Sequence, residues 1–391
     1  MSRRSIGVGL LGVGWMGRLH TRSYRRLVEH FPELDADIRL VAAADPSAAR
    51  RGLATTELGY ASATEDWREV VANPEVDVVS ITAPNYLHRD MGVATARSGK
   101  PFWGEKPLGR DAAETEEIAR AVAEAGVVTT VGFNYRYVPL VEHVRALVAS
   151  GGLGVPTGYR GWFLNDYASS PAGVLSWRFR RALGGSGALG DLMSHVVDLA
   201  QLLLGPVAEV VATTDLLIPE RPLPASEDAG HFAVGGGPSA PVENEDAARA
   251  LVRFASGLGG YLEVGRTVVG PHCSLGFELY GTEGSVRWDF ERMNELDRYV
   301  AGGAGGDVGF QRVLARPGHG AYHRFQPGPA ISMSYDDLKV VEASRFVASV
   351  LEGRPASGGV RDALAAARVI AAIEASASSR AWAAVEASAG P

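Results

Sequence analysis

IGVGLLGVGWMG, residues 6–17, decides how the rest of the chain is read. Its first half is a short apolar run, as a strand buried on both faces of a parallel sheet requires. Its second half sets Gly12, Gly14 and Gly17 at the spacing G-x-G-x-x-G. In that pattern the first glycine permits a tight turn. The second lets the backbone approach a pyrophosphate, and the third lets the next helix pack on the strand. Trp15 and Met16 fill the variable positions, and WMGRLHTRSYRRLVEHF continues as a helix whose N-terminus would face phosphates. With 48 glycines in 391 residues the pattern alone is weak, so its context has to decide.

The context agrees. A second apolar run, IRLVAAAD, ends on Asp45. A carboxylate there can accept hydrogen bonds from an adenosine ribose and repel a 2′-phosphate, which favours NAD over NADP. The competing reading of Asp45 is a helix N-cap before PSAARRG. VDVVSITA, KPFWGE and VVTTVGFN then read as strands, alternating with helices over Tyr86–Ser98 and DAAETEEIARAVAEAG. Repeated β-α units predict a doubly wound parallel sheet over residues 1–134, with ligands beyond the carboxyl ends of its strands. That rule points to Ala83, Pro84 and Asn85, to Glu105, Lys106 and Pro107, and to Asn134, Tyr135 and Arg136.

Composition narrows the class. Hydrophobic residues make up 46% and charged ones 21%, enough for a sizeable core. A net charge of −7 gives no support to binding nucleic acid or an anionic membrane. No apolar run reaches the ~18 residues of a transmembrane helix. One cysteine, Cys273, excludes an intrachain disulfide framework and a cysteine metal site. The start, MSRRSIGVGLLGVGWMG, imitates an export signal with a twin-arginine pair, but cleavage would remove the first strand. The expectation is therefore a cytoplasmic protein.

Beyond Arg136 the pattern changes, and residues 135–391 read as an α+β domain. A helix near 138–149 precedes TGYRGWFLN, a strand. VAEVVATTDLLI, AARALVRFASGLGGYLEV, CSLGFELYG and SVRWDF predict successive antiparallel strands, a meander. Residues 219–246 and 301–334 read as long loops; His231, His319 and His323 in them read as solvated. Two helices, from Tyr335 and from Val360, close the chain. Within this half GDLMSHVVDLAQLLLG, residues 190–205, reads as a buried helix carrying Asp191, His195 and Asp198 on one face. Buried charge is costly unless paired or placed in a site. From spacing alone an internal ion pair, or carboxylates matched to the helix dipole, stands level with a functional site. A two-histidine metal site lacks its second histidine, so no metal is expected.

GVGWMG, APNYLH, GEKPL and GGSGALGDLMSHVVD, in that order, resemble the glucose–fructose oxidoreductase, inositol dehydrogenase and rhizopine-catabolism (Gfo/Idh/MocA) family of NAD(P)-dependent oxidoreductases. SWRF, IPERPL and GTEGS look most like its branch of levoglucosan and related pyranoside dehydrogenases. The resemblance implies an N-terminal Rossmann domain followed by an open, largely antiparallel sheet whose outer face often joins subunits, in a homodimer or homotetramer. It also implies hydride transfer between NAD and a secondary hydroxyl of a sugar, anhydrosugar or inositol. Relatives that cleave glycosides through transient use of NAD, and a non-enzymatic sensor of the same fold, remain alternatives.

Residue by residue, the family's Glu-Lys-Pro motif falls on Glu105, Lys106 and Pro107, with a cis bond expected before Pro107. Lys106, otherwise an ordinary strand-end lysine, would then sit beside the nicotinamide. The D-x-x-x-H pattern falls on Asp191 and His195, with Met193 where many relatives have glycine. His195 is the expected base, with Lys106 the competing assignment. Asp191 would orient the histidine or bind a neighbouring hydroxyl, and Lys106 would stabilise developing negative charge. Candidate cofactor contacts are Gly12, Gly14, Trp15, Met16, Gly17, Asp45, Ala83, Pro84, Asn85, His88, Glu105, Lys106 and Asn134. Trp177 and Arg178 serve either cofactor or substrate, and Tyr135 and Asn165 are further substrate contacts. A packing role stands level with a functional one at each of these last four.

Overall fold

A computed structural model describes residues 4–225, 233–302, 308–355 and 357–386. The predicted alternation is present. Strands β1 (Arg4–Leu11), β2 (Ala36–Ala44), β3 (Ser62–Thr64), β4 (Val78–Ile81), β5 (Phe102–Gly104) and β6 (Thr129–Val131) form one parallel sheet, in the order β3-β2-β1-β4-β5-β6. Between them run α1 (Trp15–His30), α2 (Ala48–Thr56), α3 (Trp67–Ala72), α4 (Asn85–Arg97) and α5 (Ala112–Ala125). Ile6, Val8, Leu10 and Leu11 of β1 are all at or below 2% exposure, each worth about 1.5–3 kcal/mol of burial. The strand order reverses between β1 and β4, so the ends of those two strands border the crevice where such sheets bind ligands.

The second sheet is built from β7 (Pro156–Asn165), β8 (Val207–Asp215), β11 (Ala247–Phe254), β12 (Gly259–Gly265), β13 (Cys273–Gly281), β14 (Gly284–Asp289), β15 (Glu295–Val300) and β16 (Gln311–Leu314). The predicted long loop 219–246 contributes a separate small hairpin, β9 (Glu220–Pro222) with β10 (Ser239–Pro241). Helices α6 (Pro139–Ala149), α7 (Arg181–Gly184) and α8 (Ser194–Leu204) precede or interrupt these strands. The final elements are α9 (Tyr335–Glu352), α10 (Val360–Ser379) and β17 (Ala383–Ala384).

The sheet order β16-β15-β14-β13-β7-β12-β11-β8-β17 corrects the simple meander. Strand β7 sits between β12 and β13, parallel to the former and antiparallel to the latter. The signal was in the connection. Thr282-Glu283 joins β13 to β14 as a two-residue hairpin, whereas residues 266–272 separate β12 from β13, too long for one.

The chain contacts draw two compact units. One is Met1–Gly109, Ala113–Tyr137 and Met333–Leu364; the other is Arg110–Ala112, Val138–Ser332 and Ala365–Pro391. The first unit thus breaks at Tyr137 and also takes in a C-terminal segment containing α9. That helix starts on a capping box, Ser334 with Asp337, and is tied to α1 by Arg26–Asp337 at 2.6 Å and Arg22–Asp336 at 2.9 Å. In the second unit α8 packs on the sheet, with Val196 against Gly161 of β7. No described helix is long and apolar enough to cross a membrane.

Candidate active site

The candidate residues fall in two sets, one in each unit. In the first, the glycine loop adopts the geometry its spacing requires. Gly12 has φ +96°, and a Cβ there would lie 2.8 Å from the Ala83 nitrogen. A Cβ on Gly17 would lie 2.2 Å from the Gly12 carbonyl oxygen, so only glycine lets α1 sit so close to the turn. A Cβ on Gly14 would meet nothing within 4 Å: this glycine faces open space. Helix α1 has no side-chain cap and no acidic residue in its first turn, leaving its positive end available to an anion. Open backbone, uncapped helix and glycine turn together fit a dinucleotide pyrophosphate. Met16 is half-buried, while Trp15 is 65% exposed and stacks on Tyr335, ring centroids 5.9 Å apart.

Asp45 does more than either reading anticipated. Its Oδ2 accepts the Val13 N–H at 2.8 Å and its Oδ1 the Ser47 N–H at 3.0 Å. It thus laces the glycine loop to the start of α2, with Arg50 3.8 Å away. An ionised carboxylate has lone pairs left for a ribose hydroxyl after those two bonds.

After β4, Ala83, Pro84 and Asn85 form the half-buried start of α4. His88 one turn on is buried, with Nε2 2.7 Å from the Ala83 carbonyl and Nδ1 2.9 Å from the Pro107 carbonyl. Burial lowers its pKa, against the pull of those two carbonyls. A neutral ring donates to one of these carbonyls at a time, so His88 bridges the loop after β4 and the turn after β5. Glu105 is likewise turned inward, 7% exposed and bonded to His20 and Lys339. Lys106 follows, half-buried, and the Lys106–Pro107 peptide is cis. Asn134 and Tyr135 lie in the short 3₁₀ turn Asn134–Tyr137, both buried. Tyr135 meets the edge of Tyr335 at 6.1 Å, and the Asn134 Nδ2 is a buried donor without a protein acceptor. The inner end of this site therefore contains an unsatisfied amide, as a ligand-binding pocket does.

In the second unit the polar stripe is not a plain α-helix. Leu189–Met193 is a π-helical turn, and α8 begins only at Ser194. The α-helical face-sharing read from spacing is thus replaced by a π-to-α junction, a feature common at functional sites. Glu245 builds it: its side chain accepts the Leu189 N–H at 2.9 Å and its carbonyl the Ala188 N–H at 3.0 Å. Asp191 is half-buried, and its Oδ2 accepts the Tyr167 hydroxyl at 2.8 Å. Burial, then the Asp191 charge, holds the Tyr167 pKa far above its ordinary value, so Tyr167 stays a donor. Asn165 places that tyrosine, since its Oδ1 accepts the Tyr167 N–H at 2.9 Å in an Asx turn. His195 is 4% exposed beside Phe163, ring centroids 6.0 Å apart. Asp198 is 2% exposed and, after burial, is what raises the pKa of Tyr159 on β7. It belongs to the packing of α8 on the sheet.

Arg178 lies over its neighbour Trp177, 4.3 Å from the ring centroid. His319 departs from the solvated reading: it is 4% exposed and meets His143 at 4.6 Å between ring centroids. Burial, then His143, lowers its pKa to about 4. His323 is exposed, and His231 lies outside the described residues. Tyr167 and Glu245 were missed in the sequence. Tyr167 could have been found as a hydroxyl two residues past Asn165; Glu245 has no local signal. Among the described residues no group of three or more His, Cys, Asp or Glu could hold a metal ion.

Comparison with known proteins agrees with this geometry. The NAD-binding Rossmann-fold model of the oxidoreductase family matches residues 6–133, and the GFO/IDH/MocA C-terminal domain model matches residues 141–287. The chain is 35% identical to levoglucosan dehydrogenase of Pseudarthrobacter phenanthrenivorans, over 96% of this chain and 97% of that one. It is 30% identical to the NAD⁺-dependent scyllo-inositol 2-dehydrogenase of Bacillus subtilis, over 72% and 73%. A solved levoglucosan dehydrogenase in complex with NADH and levoglucosan superposes with a TM-score of 0.92 at 33% identity, over 98% of this chain and all of that one.

Proposed function

This chain belongs to the GFO/IDH/MocA family of NAD-binding oxidoreductases, and from that premise we propose that it interconverts a secondary hydroxyl and a ketone on a sugar, anhydrosugar or inositol. The observation that carries the reading is Lys106. It follows the carboxyl end of β5, the ligand end of the parallel sheet, and the residue before it is anchored by buried ion pairs. Bound NAD supplies the hydride acceptor. The protein must then take the hydroxyl proton and stabilise the oxygen left behind.

His195 takes the proton, an imidazole being suited to that step near neutral pH. Asp191, held by Tyr167, orients the ring or a neighbouring hydroxyl. Lys106 donates to the reacting oxygen and stabilises its growing negative charge. The carboxylate of Asp45 at the end of β2 supports NAD over NADP.

NADH absorbance over a panel of sugars, inositols and anhydrosugars, with NADP as control, tests the reaction. Equal rates with NADP would remove the role given to Asp45. Glycoside cleavage without NADH formation would replace hydride transfer with non-redox chemistry. Lys106→Ala and His195→Ala test the residues; wild-type turnover in either withdraws its role.

A further inference from the structure

Of 38 Lys and Arg residues in this chain only three are lysine: Lys100, Lys106 and Lys339. Lys100 caps a loop, donating to the Asn73 carbonyl at 2.6 Å. Lys339, on α9, has no exposed surface. Its Nζ donates to Glu105 Oε1 at 2.6 Å and to Glu342 Oε2 at 2.8 Å. A sealed position between two carboxylates suits a compact ammonium better than a planar guanidinium. That is a physical reason for a lysine where the chain otherwise uses arginine.

Stability alone is a poor explanation for such a cluster, because buried ion pairs can often be replaced by apolar residues without loss. What this cluster supplies is position. Glu105 Oε1 is also 3.1 Å from His20 Nε2 on α1, and His20 Nδ1 is 3.2 Å from Ser80 Oγ on β4. The His20 ring stacks on Trp103 of β5 with centroids 3.5 Å apart. On the far side Gly132 closes the pocket, since a Cβ there would lie 2.5 Å from Glu105 Oε2. Glu105 is thus held by α9, α1 and the segment after β6, and the next residue in the chain is Lys106.

We propose that Lys339 is a positioning residue for Lys106: its ammonium, delivered by α9, locks the Glu105 carboxylate and so fixes the turn that presents Lys106. The proposal rests on the catalytic reading of Lys106 given above. The charge states agree with the geometry. Burial alone would raise the Glu105 carboxyl, but Lys339 and then His20 hold it well below the usual carboxylate range. Burial would also discharge Lys339, but Glu105 and Glu342 keep it charged. Burial lowers His20 to about 4 despite its bond to Glu105, so near pH 7 it is neutral and the lysine is the cation on Glu105.

Three lysines make the test direct. In full-length protein labelled with ¹³C-lysine, three side-chain signals are expected, and Lys106→Arg assigns the one that matters. Lys339→Met should move the Lys106 signal, with and without NADH, and leave the Lys100 signal in place. On whichever substrate the panel identifies, kcat should fall about 10- to 100-fold, the scale of a misplaced catalytic group, with a much smaller change in NADH affinity by fluorescence. A folded Lys339→Met with an unmoved Lys106 signal overturns the proposal, even if its melting temperature drops. If that variant does not fold, Glu105→Gln, which keeps the buried ammonium on Glu342, decides by the same shift. Wild-type turnover in Lys106→Ala would remove the catalytic reading and leave the positional one to stand or fall on the Lys106 signal alone.

Discussion

Two polar side chains, one just after a strand and one on a helical turn, are positioned by opposite means. Lys106 stands next to a carboxylate locked by the fully buried ammonium of Lys339, from a segment far along the chain. Asp191 stands half-exposed on a π-turn, where it accepts a neutral hydroxyl from a residue 24 positions away and where Glu245 binds the backbone of the turn. The first arrangement depends on long-range electrostatics in a low dielectric; the second depends on backbone geometry and neutral hydrogen bonding. The first should therefore respond to pH and to charge, the second to the loss of individual bonds.

The largest effect should come from removing the groups that each arrangement presents. Lys106→Ala and His195→Ala should each lose about 10²- to 10⁴-fold in turnover, with NADH still bound, as stopped-flow and fluorescence titration would show. Next comes pH. His20 is lowered from 6.5 to about 4, chiefly by burial, so the unfolded chain binds more protons than the folded one between those values. Its contribution is complete above pH 6.5 and is lost as pH falls to about 4, on the order of 3 kcal/mol. His20→Gln should flatten the acid limb of stability measured by urea unfolding; identical acid limbs would break the contrast drawn here.

A smaller effect is expected at Gly12. Its φ of +96° and the 2.8 Å approach to Ala83 should make Gly12→Ala cost about 2 kcal/mol and weaken NADH binding, read by calorimetry. Smallest is Tyr167→Phe. It deletes one bond to a carboxylate, about 1.5 kcal/mol, so kcat should drop roughly tenfold with little change in melting temperature. A larger fall, with loss of folding, would mean that Asp191 leans on Tyr167 as heavily as Glu105 leans on Lys339.

The legible parts of the molecule share a property. The glycine fingerprint and five of the six parallel strands are local patterns present in the structure; only the three-residue β3 shows no pattern to read. The missed parts are places where a residue's partner lies elsewhere. His88 and Glu105 read as cofactor contacts from their motifs, yet the structure turns both inward. The stripe Asp191, His195 and Asp198 looked uniform by spacing, because spacing carries no trace of a π-turn that depends on Glu245. The meander failed because β7 was free, in sequence terms, to pair anywhere.

What the sequence determined by itself is the nucleotide-binding half: apolar runs, glycine turns and helix starts follow from backbone sterics and solvent within a few residues. Only the tertiary structure decided where the polar side chains of the site point. The Lys339–Glu105 bond spans 234 residues, and no local rule distinguishes that lysine from a surface one. It becomes buried and positional, its charge kept by the carboxylates against burial, only when α9 folds into the first unit and water is excluded from around it.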